Sequence, residues 1–182
     1  MNEHPVIPPV AGAFLHPRRH DLLIGGEWRA PVGGEWFETR DPASGAVLAE
    51  VASGTAADID AAVQAARAAF TAGPWHAMTG MQRGRILWRI ADLIEHYLEE
   101  LAVLETLDNG KPLAASRRGD IPAAAGQFRY YAGLAPRIEG THIPTNIAYQ
   151  PAGRRMFAHA RREPIGVVGA ICRGIRPWSW RR

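Results

Sequence analysis

Cysteine, lysine and long apolar runs are scarce in this sequence. One cysteine among 182 residues excludes a disulfide within the chain. No apolar run approaches the roughly 20 residues of a membrane-spanning helix, so we expect no membrane association. Residues 1–20 lack the basic end and apolar core of a secretory signal, and their prolines and histidines predict a loose leader. Together these absences favour a cytoplasmic protein.

Positive charge is concentrated in the last eleven residues. The net charge at pH 7 is +3, but residues 172–182 contain four arginines and no acid, so removing those four charges leaves −1 for the rest. A nucleic-acid-binding domain needs a basic stripe across its folded surface. We therefore expect no nucleic-acid partner. The alternative of a regulatory protein with a basic arm would require salt-sensitive nucleic-acid binding.

The residues that carry chemistry are scattered. None of the seven histidines pairs with another histidine, a cysteine or a carboxylate at a metal-ligand spacing, so no metal site is predicted. Cys172 is the only candidate thiol nucleophile, and no base stands beside it in the sequence. Gly166 and Gly169 lack the Gly-x-Gly-x-x-Gly run of a phosphate loop. From the residues alone, the chain is a scaffold without a visible reaction centre, and no catalytic residue is assigned.

Short strands are predicted near the N-terminus. Segments 22–24, 28–30, 36–40 and 47–51 are strand-like and are separated by glycine-containing turns. We interpret them as an antiparallel N-terminal meander. Trp28 and Trp36 are expected to be packing groups rather than ligand contacts.

Helical spacing then predicts three helices. Thr55 and Asp58 form a capping-box pattern before a short helix that ends at 73–74. Thr79 and Gln82 form a second such pattern before one long helix, which continues to Asn109-Gly110. Its apolar face is expected to cover one face of a sheet. The third helical region spans 113–138, with Pro122 in its first turn and Gly140 at its end.

The pattern changes after residue 140. Segments 141–149 and 154–162 resemble two strands around a turn at 151–153, which predicts an arm or hairpin. Residues 163–171 begin with Glu163-Pro164 and continue as an apolar run. Such a run is typical of a strand buried on both faces of a parallel sheet.

Seven stretches, in this order and spacing, resemble the N-terminal part of the aldehyde dehydrogenase superfamily. They are LLIGGEWR, DPASGAVLAEV, AVQAARAAF, RILWRIADLIE, LETLDNGKPL, FRYYAGLAPRIEGTHIP and REPIGVVGAI, within residues 21–171. The resemblance implies an α/β fold with short antiparallel strands, three helices, an oligomerisation-type hairpin and the first strand of an incomplete Rossmann-like sheet. Residues 21–140 would then be the N-terminal part of the cofactor-binding domain, 141–162 the bridging hairpin and 163–171 the first Rossmann-type strand.

The resemblance also implies a function. Members of the family oxidise aldehydes to carboxylic acids with NAD or NADP, usually as dimers or tetramers. Their nucleophilic cysteine and their glutamate base lie in later segments, which have no counterpart here. Ile171 alone matches a position that lines the cofactor, mainly through its backbone. We therefore expect a chain that by itself neither binds the cofactor nor reacts with the small-molecule aldehyde, and that forms a homo- or hetero-oligomer through the hairpin.

Residues 172–182 depart from the family pattern. In the family, this strand leads into Pro-Trp-Asn, whose asparagine binds the developing oxyanion. Here Pro177-Trp178 comes later and is followed by Ser179, so that role is transferred to no residue. The tail can be back-translated with codons that, read in another frame, encode Pro-Trp-Asn. We therefore predict a one-base deletion after the Ile171 codon, which would make residues 172–182 an out-of-frame tail. A designed basic tail is the competing explanation.

A non-catalytic module that pairs with an intact relative is the alternative function of the chain as a whole.

Overall fold

The computed structural model describes residues 12, 14–15, 19–145 and 156–172. Across these residues, seven short strands form three separate sheets. The strands are β1 (Arg19–His20), β2 (Leu22–Ile24), β3 (Glu27–Arg29), β4 (Trp36–Arg40), β5 (Val47–Ala52), β6 (Thr141–Ile143) and β7 (Ala158–Ala160). The largest sheet has the order β1-β5-β4, whereas β2 pairs with β3 and β6 pairs with β7.

The predicted meander is confirmed in part. Strands β2 and β3 form an antiparallel hairpin around Gly25 and Gly26, both with positive φ, and β4 pairs with β5 in antiparallel register. The prediction of one continuous meander is wrong, because β3 and β4 lie in different sheets. A turn closed by the Gly34 N–H and the Pro31 carbonyl (2.8 Å) leads the chain away from β3. The adjacent Val32 N–H bonds the Asp58 carboxylate instead of a strand partner.

The leader is not loose where the structure describes it. Leu15 is buried, and it packs with Leu48, Ala49 and Val103 in the core of the largest sheet. Arg19 and His20 form β1, which pairs in parallel with β5. The prediction of a loose segment is therefore wrong for these residues, because an apolar side chain and a strand partner hold them.

Residues 12, 14 and 15 are helical, and six helices lie wholly within the described part of the chain. They are α1 (Ala56–Ala72), α2 (Pro74–Ala77), α3 (Gly80–His96), α4 (Leu98–Asn109), α5 (Leu113–Ala115) and α6 (Ile121–Leu134). A π-helical turn, Ser116–Asp120, joins α5 to α6. Both capping boxes are confirmed. Gly110 ends α4 in the left-handed conformation at φ 76°, as predicted.

The long helix is two helices in the structure. Tyr97, at φ −96° and ψ 21°, leaves the helical conformation between α3 and α4. The resulting change of direction lets α3 pack on α6 while α4 reaches the sheet, where Val103 enters the core. The prediction of a single helix is wrong because its apolar pattern continues through the kink.

Small residues rather than large apolar ones join α3 to α6. A Cβ atom added to Gly84 would lie 2.7 Å from the Ala132 carbonyl oxygen, and Ala91 is fully buried. The predicted apolar stripe is left substantially exposed at Ile86 and Leu93. Helix α3 therefore packs mainly against a helix, whereas Val103 and Leu104 of α4 pack on the core of the largest sheet. The prediction that the apolar face of the long helix covers a sheet is confirmed for its second half, α4, and is wrong for α3.

The third helical region starts as predicted and ends differently. Helical backbone begins at Leu113, passes through the π-helical turn and continues into α6, which has Pro122 in its first turn. A π-helical turn changes the hydrogen-bonding register just before the proline, which has no N–H to donate. Helix α6 ends at Leu134. Gly140 does not end it and instead lies against β7, where an added Cβ would be 2.5 Å from the Ala160 carbonyl oxygen.

The predicted hairpin forms and the predicted Rossmann-type strand does not. Antiparallel pairing joins β6 to β7, while the turn at 151–153 lies outside the described residues. Residues 163–171 have no regular secondary structure, so the prediction of a strand there is wrong. A β-strand needs a neighbour for its backbone groups, and no other described segment pairs with this one. The tail at 173–182 also lies outside the described residues.

Trp28 and Trp36 have different surroundings. Trp36 is half-buried, and the Arg19 guanidinium lies 4.4 Å from the centre of its ring. Its packing role is confirmed. Trp28 is 65% exposed on β3, so the same prediction is wrong for it.

Candidate functional site

Ile171, the one residue predicted to line a cofactor, is fully exposed. Its neighbour Val168 is 63% exposed. A dinucleotide is held between strand ends and a helix N-terminus in Rossmann-type domains, and neither stands near Ile171 because residues 163–171 form no strand. The described residues therefore do not fit a nicotinamide cofactor at this position.

The sequence analysis also predicted no metal site and no membrane-spanning helix, and it named Cys172 as the only candidate nucleophile. Within the described ranges, no group of three or more histidine, cysteine and acidic side chains could hold a metal ion. Cys172 is exposed. No helix in the described part of the chain is long and apolar enough to cross a bilayer.

Buried charge is concentrated instead where α4 meets the π-helical turn. The Lys111 ammonium donates to the Glu105 carboxylate and, at 2.6 Å, to the Asp120 carboxylate. The Glu105 side chain is completely buried, and those of Lys111 and Asp120 are 17% and 13% exposed. The Asn109 amide also donates to Glu105, at 3.1 Å. We call Glu105, Lys111 and Asp120 the buried ion cluster.

Local backbone geometry brings these three residues together. Left-handed Gly110 reverses the chain after α4, and the Lys111 N–H donates to the Asn109 side-chain oxygen at 3.0 Å. The Lys111 side chain is thereby directed back toward Glu105, which lies six residues earlier in the chain. The π-helical turn then places Asp120 on the other side of the ammonium.

The cluster is a structural tie rather than a reaction centre. Burial lowers the pKa of Lys111, but the hydrogen bonds that its ammonium donates to Asp120 and Glu105 outweigh that effect, so its pKa is raised above the usual value. A lysine whose charged form is stabilised in this way is a poor nucleophile and a poor base at neutral pH. The geometry joins the end of α4 to the π-helical turn.

Sequence reasoning identified the stretch that contains the cluster but not its ion pairs. LETLDNGKPL includes Glu105 and Lys111, and the acid that completes the cluster lies nine residues beyond the lysine. The available signal was that Lys111 is the only lysine in the chain and directly follows a helix-ending glycine. Nothing local indicates that Asp120 turns toward it, because that depends on the π-helical turn.

Among the described residues, the β6–β7 hairpin and helix α1 both expose apolar side chains. The β6–β7 hairpin presents Ile143 and Phe157, which are 48% and 80% exposed. The stripe of α1 is exposed as well, with Ile59 61% exposed. Patches of this kind on a folded protein mark contacts with other segments or other chains.

Comparison with known proteins identifies one family. A family model described as "Aldehyde dehydrogenase family" matches residues 28–178. That match begins seven residues after, and ends seven residues beyond, the range 21–171 in which the motifs were found.

Relatives with established names are similar over most of this chain. Aldehyde dehydrogenase family 2 member B4, mitochondrial, of Arabidopsis thaliana is 48% identical over 159 residues, which is 87% of this chain and 28% of that protein. Benzaldehyde dehydrogenase, mitochondrial, of Antirrhinum majus is 40% identical over 98% of this chain and 30% of its own length. The chain thus spans less than a third of these relatives, within their N-terminal part.

A solved structure agrees with the sequence comparison. The NAD+ complex of aldehyde dehydrogenase from Bacillus cereus superposes with a TM-score of 0.73 and 44% sequence identity. The superposition covers 79% of this chain and 29% of that protein. The described fold is that of the N-terminal part of this structure.

Proposed function

The chain belongs to the aldehyde dehydrogenase family, and from that membership we propose that it carries the N-terminal part of an enzyme that oxidises aldehydes to carboxylic acids with NAD or NADP. In such a reaction a cysteine thiolate attacks the aldehyde, hydride passes to the nicotinamide, and a glutamate-activated water releases the acid. The described residues contribute scaffold to that reaction. None of them is assigned a catalytic role.

We propose further that the 182-residue chain by itself does not oxidise aldehydes. The observation that carries this proposal is the full exposure of Ile171, the only position matched to the cofactor site. Among the described residues, no strand pairs with 163–171, so no described segment encloses a nicotinamide there or excludes water from it. The coverage of relatives supports the same conclusion, because the chain spans only 28–30% of their length.

The test is an assay of the purified chain with NAD and, separately, with NADP. Aliphatic and aromatic aldehydes are supplied, and reduced nicotinamide is followed by its absorbance. We expect no rate above the buffer blank, while an intact member of the family gives a clear rate under identical conditions. Aldehyde-dependent reduction of either cofactor by the purified chain would overturn the proposal.

A non-catalytic pairing module is the second candidate function. The exposed hairpin favours it, because β6 and β7 form an antiparallel pair with apolar side chains facing outward. Co-expression with an intact relative tests it, with Phe157→Ser as the variant that removes the most exposed apolar side chain of the hairpin. Co-purification that is lost in the variant supports pairing, and equal recovery of both forms contradicts it.

The frameshift and the cytoplasmic location stay predictions. Reading the DNA beyond the Ile171 codon tests the first. A dehydrogenase-like frame with a downstream cysteine and glutamate supports a one-base deletion, and the absence of such a frame rejects it. Fractionation of cells that express the natural gene tests the second.

A further inference from the structure

Two histidines stand directly opposite each other on the β6–β7 hairpin. In the antiparallel pairing, His142 of β6 is the Cα partner of His159 of β7, and the pairs on either side keep a regular register. The two residues are far apart in the sequence, so no local metal-ligand spacing indicates them. Strand pairing therefore brings together two imidazole groups that the sequence keeps separate.

The two imidazoles project from the same face of the hairpin. Directly opposed residues of an antiparallel pair point to one side, with their Cβ atoms about 4.5–5.5 Å apart. The His142 ring also lies 6.2 Å, centre to centre, from the ring of Phe157. Phe157 is two positions before His159, and side chains two positions apart share a face of a strand. Both histidines are exposed, so a solute can reach them.

Two neighbouring imidazoles form a bidentate ligand for a transition-metal ion. Metal–nitrogen bonds of about 2.0–2.1 Å place two nitrogens in adjacent coordination positions about 3 Å apart. Exposed histidine side chains whose Cβ atoms are about 5 Å apart reach that separation by rotation. Imidazole nitrogen suits Zn²⁺, Cu²⁺ and Ni²⁺, whereas Ca²⁺ and Mg²⁺ prefer oxygen ligands.

The nearest cation after β7 is already paired. Arg161 follows His159 by two positions, and its guanidinium is bound by the Glu163 carboxylate at 2.5 Å. This ion pair compensates a positive charge that would otherwise repel a metal ion close to the histidines.

We propose that His142 and His159 form a two-histidine binding site for a divalent transition-metal ion, with water in the remaining coordination positions. The described residues contain no group of three or more metal-binding side chains, so the site is open rather than a closed structural centre. An ion bound to both histidines bridges β6 and β7. By linkage, it stabilises the paired hairpin over the separated strands.

Ni²⁺ held by nitrilotriacetate tests this inference, because that chelator leaves two adjacent coordination positions open. The full 182-residue chain, without a histidine tag, is titrated by calorimetry. We expect His142→Ala and His159→Ala each to weaken binding by about tenfold or more, since the second imidazole acts at a high effective concentration. The double variant should bind little more weakly than either single variant. His76→Ala, which removes an exposed histidine of α2, should leave the affinity unchanged.

The matched control keeps the number of histidines and changes only the face. His159→Ala combined with Ala160→His moves the second imidazole by one position, and side chains one position apart lie on opposite faces of a strand. This variant should bind the chelated Ni²⁺ as weakly as His159→Ala alone. The inference is overturned if it binds as tightly as the natural chain, or if the natural chain binds no more tightly than His142→Ala.

Discussion

Lys111 joins the completely buried Glu105 carboxylate to the largely buried carboxylate of Asp120. Replacing it with methionine keeps the length of the side chain and leaves the completely buried Glu105 without its charge partner. Removing one member of a buried ion pair costs about 3–5 kcal/mol. We therefore predict that Lys111→Met lowers the free energy of unfolding by about that amount, measured by urea titration followed by far-UV circular dichroism.

Arg129→Met is the matched control for this substitution. Arg129 also bridges two carboxylates, those of Glu95 and Asp92, but these lie on the surface of α3. Screening by water weakens surface pairs, so the control should shift the urea midpoint far less. Equal losses of stability in the two variants would show that the buried ion cluster contributes no more to the free energy of unfolding than a surface ion pair does.

Asp58 provides a test that depends on pH. Its carboxylate accepts the Thr55 N–H at 2.7 Å and the Val32 N–H at 3.1 Å. The hydrogen bond from the Thr55 backbone, against the opposing effect of burial, holds the pKa of Asp58 below its ordinary value of 3.8. Because the folded pKa is the lower one, the contribution to stability is present above pH 3.8 and is lost as the pH falls through the folded value.

We predict from this that Asp58→Ala lowers the thermal midpoint at pH 7 by several degrees, since a lost helix cap has roughly that effect in a domain of this size. The difference from the natural chain should shrink as the pH falls below 3.8. Asp60→Ala, which removes an exposed acid from the same helix, is the control. A difference that persists unchanged in acid would contradict the role given to the carboxylate.

At the scale of elements, the contact between α3 and α6 depends on the absence of a side chain. A Cβ atom at Gly84 would meet the Ala132 backbone oxygen at 2.7 Å, and backbone cannot move aside as a flexible side chain can. Gly126 is also helical but faces open space. Replacing each glycine with alanine therefore distinguishes the effect of helix propensity from the effect of helix packing within one pair of helices.

We predict opposite effects for the two alanine substitutions. Gly126→Ala should stabilise the chain by about 0.5–1 kcal/mol, the usual gain from replacing glycine in a helix. Gly84→Ala gains the same propensity but should be destabilising by about 1–3 kcal/mol because it forces the helices apart. Urea midpoints of the two variants measure the difference. Stabilisation by both substitutions would mean that the helices are not in close contact.

At the scale of the whole molecule, many large apolar side chains among the described residues are substantially exposed. Ile59 of α1, Trp88 of α3 and Ile165 after the hairpin are 61%, 49% and 90% exposed. A buried aliphatic side chain contributes roughly 1.5–3 kcal/mol only where a partner surface covers it. Several such contacts together are comparable with the net stability of about 5–15 kcal/mol of an entire domain.

We therefore predict a poorly soluble or partly molten product when the 182-residue chain is made alone. Near-UV circular dichroism should be weak although the far-UV signal shows helices, and size-exclusion chromatography should give a broad profile. The helices persist because their capping and backbone bonds are local. A sharp monomeric peak together with a strong near-UV signal would contradict the prediction.

Structure that depends on neighbours within a few residues could be predicted well. The capping boxes at Thr55 and Thr79, the left-handed Gly110 and the β2–β3 hairpin all follow from side chains three or four positions apart. The family could be identified for the same reason, since its motifs are contiguous stretches, and its α/β architecture followed from the family.

Tertiary contacts decided what local patterns left open. The helix is interrupted at Tyr97, where α3 and α4 pack against different elements. The apolar spacing of the sequence continues across Tyr97 and therefore does not indicate the interruption. Asp120 reaches Lys111, nine residues earlier, because the π-helical turn redirects the chain, and β1 joins β5 across 31 residues. Residues 163–171 show the converse case: an apolar run specifies a buried strand only where neighbouring strands exist to accept its backbone hydrogen bonds.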